Sequence, residues 1–301
     1  MQIARRTLFE GGLLSACHMV ARPSSAECGE LQCQSENVLV LPLAGVFAKH
    51  DAPRRHVVAT ASHAVFVAAG APYRISFPAA LGDEALLFRF SGAALQRAAP
   101  EAVKRDGFDS PDFASHALLP PAAMLARSLL WKRFSGGGWD PLEVEEAGVG
   151  LLASALRAAR RQPRRRGHGI RASAARRMRQ VERVKEAISL HPEHKWTLDG
   201  LASLASVSPC HLAHVFRAEV GESVYGYVLR SRLASTLDAV LDAGADLSAV
   251  AQDAGFASHS HFTARFRALF GLTPSAWRRR ASSGRAAELR RIVTARAAAA
   301  V

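Results

Sequence analysis

The side chains best suited to directed polar contacts gather in two strings whose starts lie 50 positions apart. SPCHLAHVFR runs from Ser208 to Arg217 and SHSHFTARFR from Ser258 to Arg267. Each combines serine, histidine and arginine with apolar residues at helical spacing. With Leu212, Val215 and Phe216 turned to a core, Cys210, His211, Ala213, His214 and Arg217 point outward. In the second string Phe262, Phe266 and Phe270 turn inward, leaving His259, Ser260, His261, Ala264, Arg265 and Arg267 outside. Imidazole, hydroxyl and guanidinium groups on one helical face can reach the edges of bases and the oxygens of phosphates. Cysteine offers different chemistry. Cys17-His18, Cys28 and Cys33 are zinc-ligand types, but isolated cysteines in strands are more often small buried hydrophobes.

The strings belong to a repeat. FRAEVG at Phe216–Gly221 recurs as FRALFG at Phe266–Gly271, and Leu198, Leu201, Ala202 and Ala205 recur 49 positions later as Leu247, Val250, Ala251 and Ala254. Each copy reads helix, short turn, helix. Ser208 stands at an N-cap with Pro209 in the first helical position, a strong start signal. Gly255 supplies a turn position that tolerates positive φ, where the first copy has Ser206. Between the copies Val224–Ala243 forms an apolar-periodic rod through Leu229, Leu233, Leu237 and Leu241. At ~1.5 Å per residue it spans about 30 Å, close to one duplex turn of ~34 Å. Two helix-turn-helix units on such a rod can present their second helices to successive major grooves.

Charge agrees with a polyanionic partner. The chain has 301 residues and a net charge of +13, with the first 150 residues near neutral and the remainder at +14. Residues 151–180 carry ten arginines and no acid, so 161–179 reads as an Arg-rich linker. Four cysteines are too few for a disulfide scaffold and fit a reducing compartment. The longest uncharged window, His56–Tyr73, is broken by His, Ser, Thr, Gly and Pro, and Leu13-Leu14 is too short for a secretory signal. The expectation is a cytoplasmic protein with no membrane span. Apolar runs at Asn37–Phe47, His56–Ala69, Tyr73–Phe77 and Ala85–Phe90 predict strands, and helices follow at 122–134 and 143–161. Residues 282–301 form an Ala/Arg tail.

Residues 180–281 resemble the two-headed DNA-binding domain of the AraC/XylS family of transcription regulators. The resemblance rests on SPCHLAHVFRAEVG, on YVLRSRL in the rod, and on VAQDAGFASHSHFTARFRALFGLTPSAWRRR. It implies base reading by Cys210, Ala213, His214, His259, His261 and Ala264. Ser208, Arg217, Ser258, Arg265 and Arg267 fall to the DNA backbone. Arginine and glutamine readers are absent, so van der Waals and shape readout gain weight.

VLPLAGVFAKH and APYRISFP resemble, more loosely, the cupin-like sensor halves of the same family. The expected architecture is therefore α+β. An N-terminal cupin-like β-barrel with accessory helices (1–160) would carry effector binding or dimerisation, and an all-α double helix-turn-helix (180–281) would bind DNA. His50, His56, His63, Tyr73 and Arg74 are the polar candidates for a small-molecule pocket. A promoter or operator duplex, RNA polymerase and a second copy of the chain are the implied macromolecular partners. No cofactor, metal site or enzymatic activity is expected, because the His-x-His…Glu pattern of metal cupins is missing. The alternatives are a DNA-repair methyl acceptor using Cys28 or Cys33, and a cupin enzyme tethered to DNA.

Overall fold

A computed structural model describes residues 1–52, 55–100, 115–137, 139–161 and 172–282. Most of the Arg-rich linker (162–171) and of the tail (283–301) lies outside the described residues. The N-terminal half is built from two antiparallel sheets. Its strands are β1 (Gln2–Glu10), β2 (Leu14–Arg22), β3 (Asn37–Gly45), β4 (Phe47–Ala52), β5 (Arg55–Ala59), β6 (His63–Val67), β7 (Arg74–Ser76), β8 (Asp83–Phe90) and β9 (His116–Leu118). The larger sheet has the order β1-β2-β8-β3-β6-β9 and the smaller β5-β4-β7. The two sheets share no ladder, so the described strands form an open pair and no closed barrel.

Alternation along the central strands explains their unbroken hydrophobicity. Val38 and Val40 of β3, Val65 and Val67 of β6, and Ala85 and Leu87 of β8 face the small sheet. Leu39, Leu41, Phe66, Leu86 and Phe88 face helices on the other side. A strand buried on both faces reads as a continuous apolar run. The expected run His56–Ala69 is two strands. They are separated by a turn at Thr60–Ser62, where the Thr60 amide donates to His63 Nδ1 at 3.3 Å. β3 carries Pro42 at a register shift against β8, a place where proline is tolerated.

A short α1 (Gly92–Ala98) precedes α2 (Pro121–Gly136) and α3 (Pro141–Arg161), which extend the expected 122–134 and 143–161. The C-terminal half follows with α4 (Ala172–Leu190), α5 (Leu198–Ala205), α6 (Pro209–Val220), α7 (Val224–Leu241), α8 (Leu247–Asp253), α9 (His259–Phe270) and α10 (Pro274–Ser282). Among the described residues, no helix is long and apolar enough to cross a membrane. The first half of α7 shares a core with α4, α5 and α6 through Tyr227, Val228, Leu212 and Phe216. The second half packs Leu233 and Leu237 against Ala251, Phe262, Phe266 and Trp277, in a cluster continuous with Leu129 and Leu130 of α2.

Polar contacts join the halves as well. Ser128 donates to Asp238 at 2.6 Å, Lys132 to the Leu241 carbonyl at 2.6 Å, and the Val58 amide to Glu182 at 2.8 Å. Wholly buried Arg127 donates to the carbonyls of Pro42 and Ala61, tying α2 to the large sheet. Burial disfavours its charge and Asp238 partly restores it.

Asp83, at the start of β8, is 6 % exposed, and neither carboxylate oxygen has a hydrogen-bond partner among the described residues. Burial, and then the charge of Glu84, push its pKa from 3.8 to about 7. An acid that ionises less readily in the folded state lowers stability as pH rises from its unfolded pKa to its folded one. Asp83→Asn is therefore expected to be more stable than the wild type. The margin widens between about pH 4 and 7, then levels off at on the order of 4 kcal/mol. Urea unfolding at pH 5 and pH 8 measures it, and equal margins at both would show that ionisation is not the cause.

Candidate nucleic-acid interface

The two strings of polar residues occupy equivalent helices, α6 and α9, each starting at a serine cap. Ser208 Oγ accepts from the His211 amide at 3.3 Å, and Ser258 Oγ from the His261 amide at 3.1 Å. A hydroxyl that accepts in a cap still has its own proton to donate outward. Both helices end at a left-handed glycine, Gly221 at φ +87° and Gly271 at φ +79°. The turns before them differ in residue but share positive φ. Ser206 sits at φ +55°, and Gly255 at +78°. A Cβ on Gly255 would meet the Glu193 carbonyl oxygen at 2.4 Å, so only glycine fits that turn.

Burial sorts the side chains as the helical spacing predicts. Leu212, Val215, Phe216, Phe262, Phe266 and Phe270 are buried. Cys210, His211, Ala213, His214 and Arg217 are exposed, as are Ser258, His259, Ser260, Ala264, Arg265 and Arg267. His261 is half-buried. Its ring lies 5.6 Å from Phe256 in an edge-to-face arrangement, and its Nε2 accepts from Arg265 Nε at 3.3 Å. That bond requires an unprotonated Nε2, which leaves Nδ1 as the hydrogen-bearing nitrogen of the neutral ring. Arg265 also reaches Tyr225, its guanidinium carbon 5.9 Å from the ring centre. Tyr225 is 57 % exposed at the start of α7, so it lies beside the outward face of α9. Sequence reasoning passed over this residue, because one aromatic on an apolar-periodic helix looks like core.

The relative placement of the two units depends on Arg232 in α7. Its Nε donates to the Pro192 carbonyl at 2.6 Å, one terminal nitrogen to Gly255 at 2.7 Å, and the other to His194 at 2.8 Å. One planar group thus ties the loop ahead of the first unit to the turn inside the second. Burial lowers its pKa, an effect that Tyr225 and Glu193 oppose. Arg278 similarly takes the carbonyls of Val240 and Ala245 at 2.8 Å each, finishing the C-terminal end of α7. Arg217 and Arg267 form no ion pair among the described residues, and both stand in the last turn of their helices.

The N-terminal candidates fall in three places. A cavity of about 70 Å³ opens between the two sheets, and Tyr73 lines it. His50, whose Nε2 is 2.8 Å from Ser76 Oγ, stacks on His56 at 5.2 Å outside the cavity wall. Burial and the neighbouring His56 lower the pKa of His50, against an opposing pull from Asp51. Arg74 donates to the Gly29 carbonyl at 3.0 Å. His63 is buried at the junction of the two halves, its ring 6.1 Å from Tyr227. Burial, then the charges of Lys185, His116 and Arg230, hold its pKa well below the usual histidine value. The cavity's polar wall comes instead from Gln32, Gln34, Lys49 and Asp83, with Arg5 of β1. None of these stands out in sequence.

All four cysteines are free thiols, Cys17 buried and Cys28, Cys33 and Cys210 exposed. No group of three or more His, Cys, Asp or Glu is arranged to hold a metal among the described residues.

Comparison with known proteins agrees with this geometry. A family described as a helix-turn-helix domain matches residues 201–280. A putative AraC-like transcription regulator of Streptomyces antibioticus is 35% identical over 88 residues, 29% of this chain and 29% of that protein. The probable transcriptional regulator LumQ of Photobacterium leiognathi is 32% identical over 92 residues, 31% of this chain and 37% of its own. The chain thus matches only about a third of the length of these relatives. A crystal structure of a DNA-binding transcriptional dual regulator from Escherichia coli K-12 aligns at 29% identity and a TM-score of 0.32. It covers 35% of this chain and 93% of that one.

Replacing Arg232 by Met is expected to destabilise the C-terminal half by about 2 kcal/mol, because four carbonyls lose a charged donor. Lys should not restore it, since one ammonium cannot span the same fork. Thermal melts of both variants measure this, and a Lys variant as stable as the wild type would refute the fork.

Proposed function

We propose that this chain, whose C-terminal domain is an AraC-type helix-turn-helix domain, is a sequence-specific DNA-binding transcription regulator with α6 and α9 in adjacent major grooves. The observation that carries the reading is the matched exposure of two capped helices held by one continuous α7. Its 18 residues give about 27 Å of rise, somewhat less than a duplex turn. DNA bending toward the protein would make up such a difference.

Base edges fall to Cys210, Ala213 and His214 from α6 and to His259, His261 and Ala264 from α9. His261 enters the groove with its protonated Nδ1 fixed by Arg265. Ser208 and Ser258 donate their free hydroxyl protons to phosphates, where Arg217, Arg265 and Arg267 add charge. Phosphate neutralisation makes the affinity fall with salt. Tyr225, bridging toward α9, holds Arg265 over the backbone between the two grooves.

The N-terminal half, with its facing sheets in a cupin-like arrangement, serves as the sensor. Occupation of its cavity is felt by α7 through the large sheet and α2, which lies between that sheet and α7. Contacts with RNA polymerase and a second copy of the chain follow from the family resemblance, as does a place in the cytoplasm and a role without catalysis.

Footprinting on genomic fragments tests the reading. Protection should extend over about two helical turns per chain. Combining His214→Ala with His261→Ala is expected to weaken binding about 10- to 100-fold, whereas Cys28→Ala leaves it unchanged. A double variant that protects the same fragments as tightly as the wild type would overturn the groove assignment.

A further inference from the structure

The cavity between the sheets holds a carboxyl group that the protein itself leaves unanswered. Its walls are apolar over most of their extent, with Val40, Val65, Phe47 and Leu87 among the contributors. Lys49, Gln34 and Tyr73 are already engaged. Lys49 bonds to Asp51 and lies 5.7 Å over the Tyr73 ring, and Gln34 donates to the Tyr73 hydroxyl at 2.7 Å. Asp83 differs. It is more than nine-tenths buried, lines the cavity, and neither oxygen meets a donor among the described residues. Buried acceptors without partners are uncommon and usually mark a bound group or a function.

The backbone gives Asp83 little room to turn away. Gly82 precedes it at φ +74°, and Gly45 opposite it is at φ +78°. A Cβ on Gly45 would lie 2.4 Å from the Gly82 carbonyl oxygen, and one on Gly82 would lie 2.2 Å from that of Ala21. The three strand ends therefore approach closely and hold the carboxyl at the cavity wall. Charge defines what would suit it. Glu84 adjoins Asp83 and is itself taken by His18 at 2.7 Å, and Lys49 is taken by Asp51. Arg5 of β1 also lines the cavity but is exposed and makes no contact with Asp83, so what the buried carboxyl lacks is a cationic donor. A cavity of about 70 Å³ is well above the roughly 10–15 Å³ that a single water needs.

We propose that this cavity is a binding site for a small aliphatic or alicyclic amine, whose ammonium group donates to Asp83 while its hydrocarbon body lies against Val40, Val65 and Leu87. This deepens the sensor role proposed above by naming the class of effector. The site also stands without it, because binding to the cavity requires no DNA. A carboxylate of the same size is disfavoured against Asp83, since the two like charges would face each other across a low-dielectric space.

Isothermal titration calorimetry of the full chain at pH 8 tests the site with isoamylamine, cyclohexylamine and isovalerate. The amines are expected to bind in the micromolar to millimolar range, with isovalerate at least tenfold weaker. Asp83→Asn should reduce amine affinity at least tenfold. Isovalerate binding as tight as isoamylamine, no amine binding up to about 10 mM, or amine affinity within twofold in Asp83→Asn would each overturn the proposal. A chain that binds amines but fails to protect DNA would leave this site standing and remove the regulatory reading.

Discussion

Helix α7 belongs to two cores at once, and that double membership is the constraint on which the C-terminal half depends. Tyr227 and Val228 are buried with the first helix-turn-helix unit, and Leu233 and Leu237 with the second. A helix resists bending over five turns far better than a loop of equal length, so the separation of the two units is a property of backbone geometry. Arg232 then fixes their rotation about that axis, because its four carbonyl partners come from the loop ahead of the first unit and from the turn inside the second. Side chains on α6 and α9 can be small or unconventional, as Ala213 and Ala264 are, only when the scaffold itself places them.

A different logic governs the N-terminal half. Its large sheet is buried on both faces, against the small sheet on one side and against α2 and α3 on the other. Burying both faces frees the protein from needing a closed barrel, and it leaves an apolar interior between the sheets. Polar groups at that interior are costly unless satisfied, which is why the contrast between Lys49, with its aspartate, and Asp83, without a partner, is informative.

Legibility in the sequence followed these differences. The C-terminal units were readable to the residue at Leu198–Ala205 and Pro209–Val220, because caps, a proline and a repeated core pattern all agreed. β1 was not recognised. Its first six residues are exposed, so no apolar alternation records it, and only pairing with β2 reveals it. The cavity wall was equally silent, since Lys49 and Asp83 look like ordinary surface charges until the sheets close over them. Histidines drew attention in their place, and His63 proved to sit at the junction of the halves. α2 is legible as a helix that packs on the sheet domain, but its second partner, α7, is not. Its apolar residues run around most of its circumference because it is covered from both sides, by the sheet through Arg127 and by α7 through Ser128 and Lys132.

That sandwiching of α2 gives the molecule unequal seams. The apolar cluster under α9 and α10 runs without interruption into α2, α3 and the large sheet, whereas the cluster under α5 and α6 meets the N-terminal half at fewer points, among them Leu118 of β9 and Tyr227 beside His63. Amide protons in α9 are therefore expected to exchange together with the N-terminal half, and those in α5 and α6 through a smaller excursion of their own. The two reading heads, alike in sequence and shape, therefore differ in how tightly they are yoked to the rest of the chain.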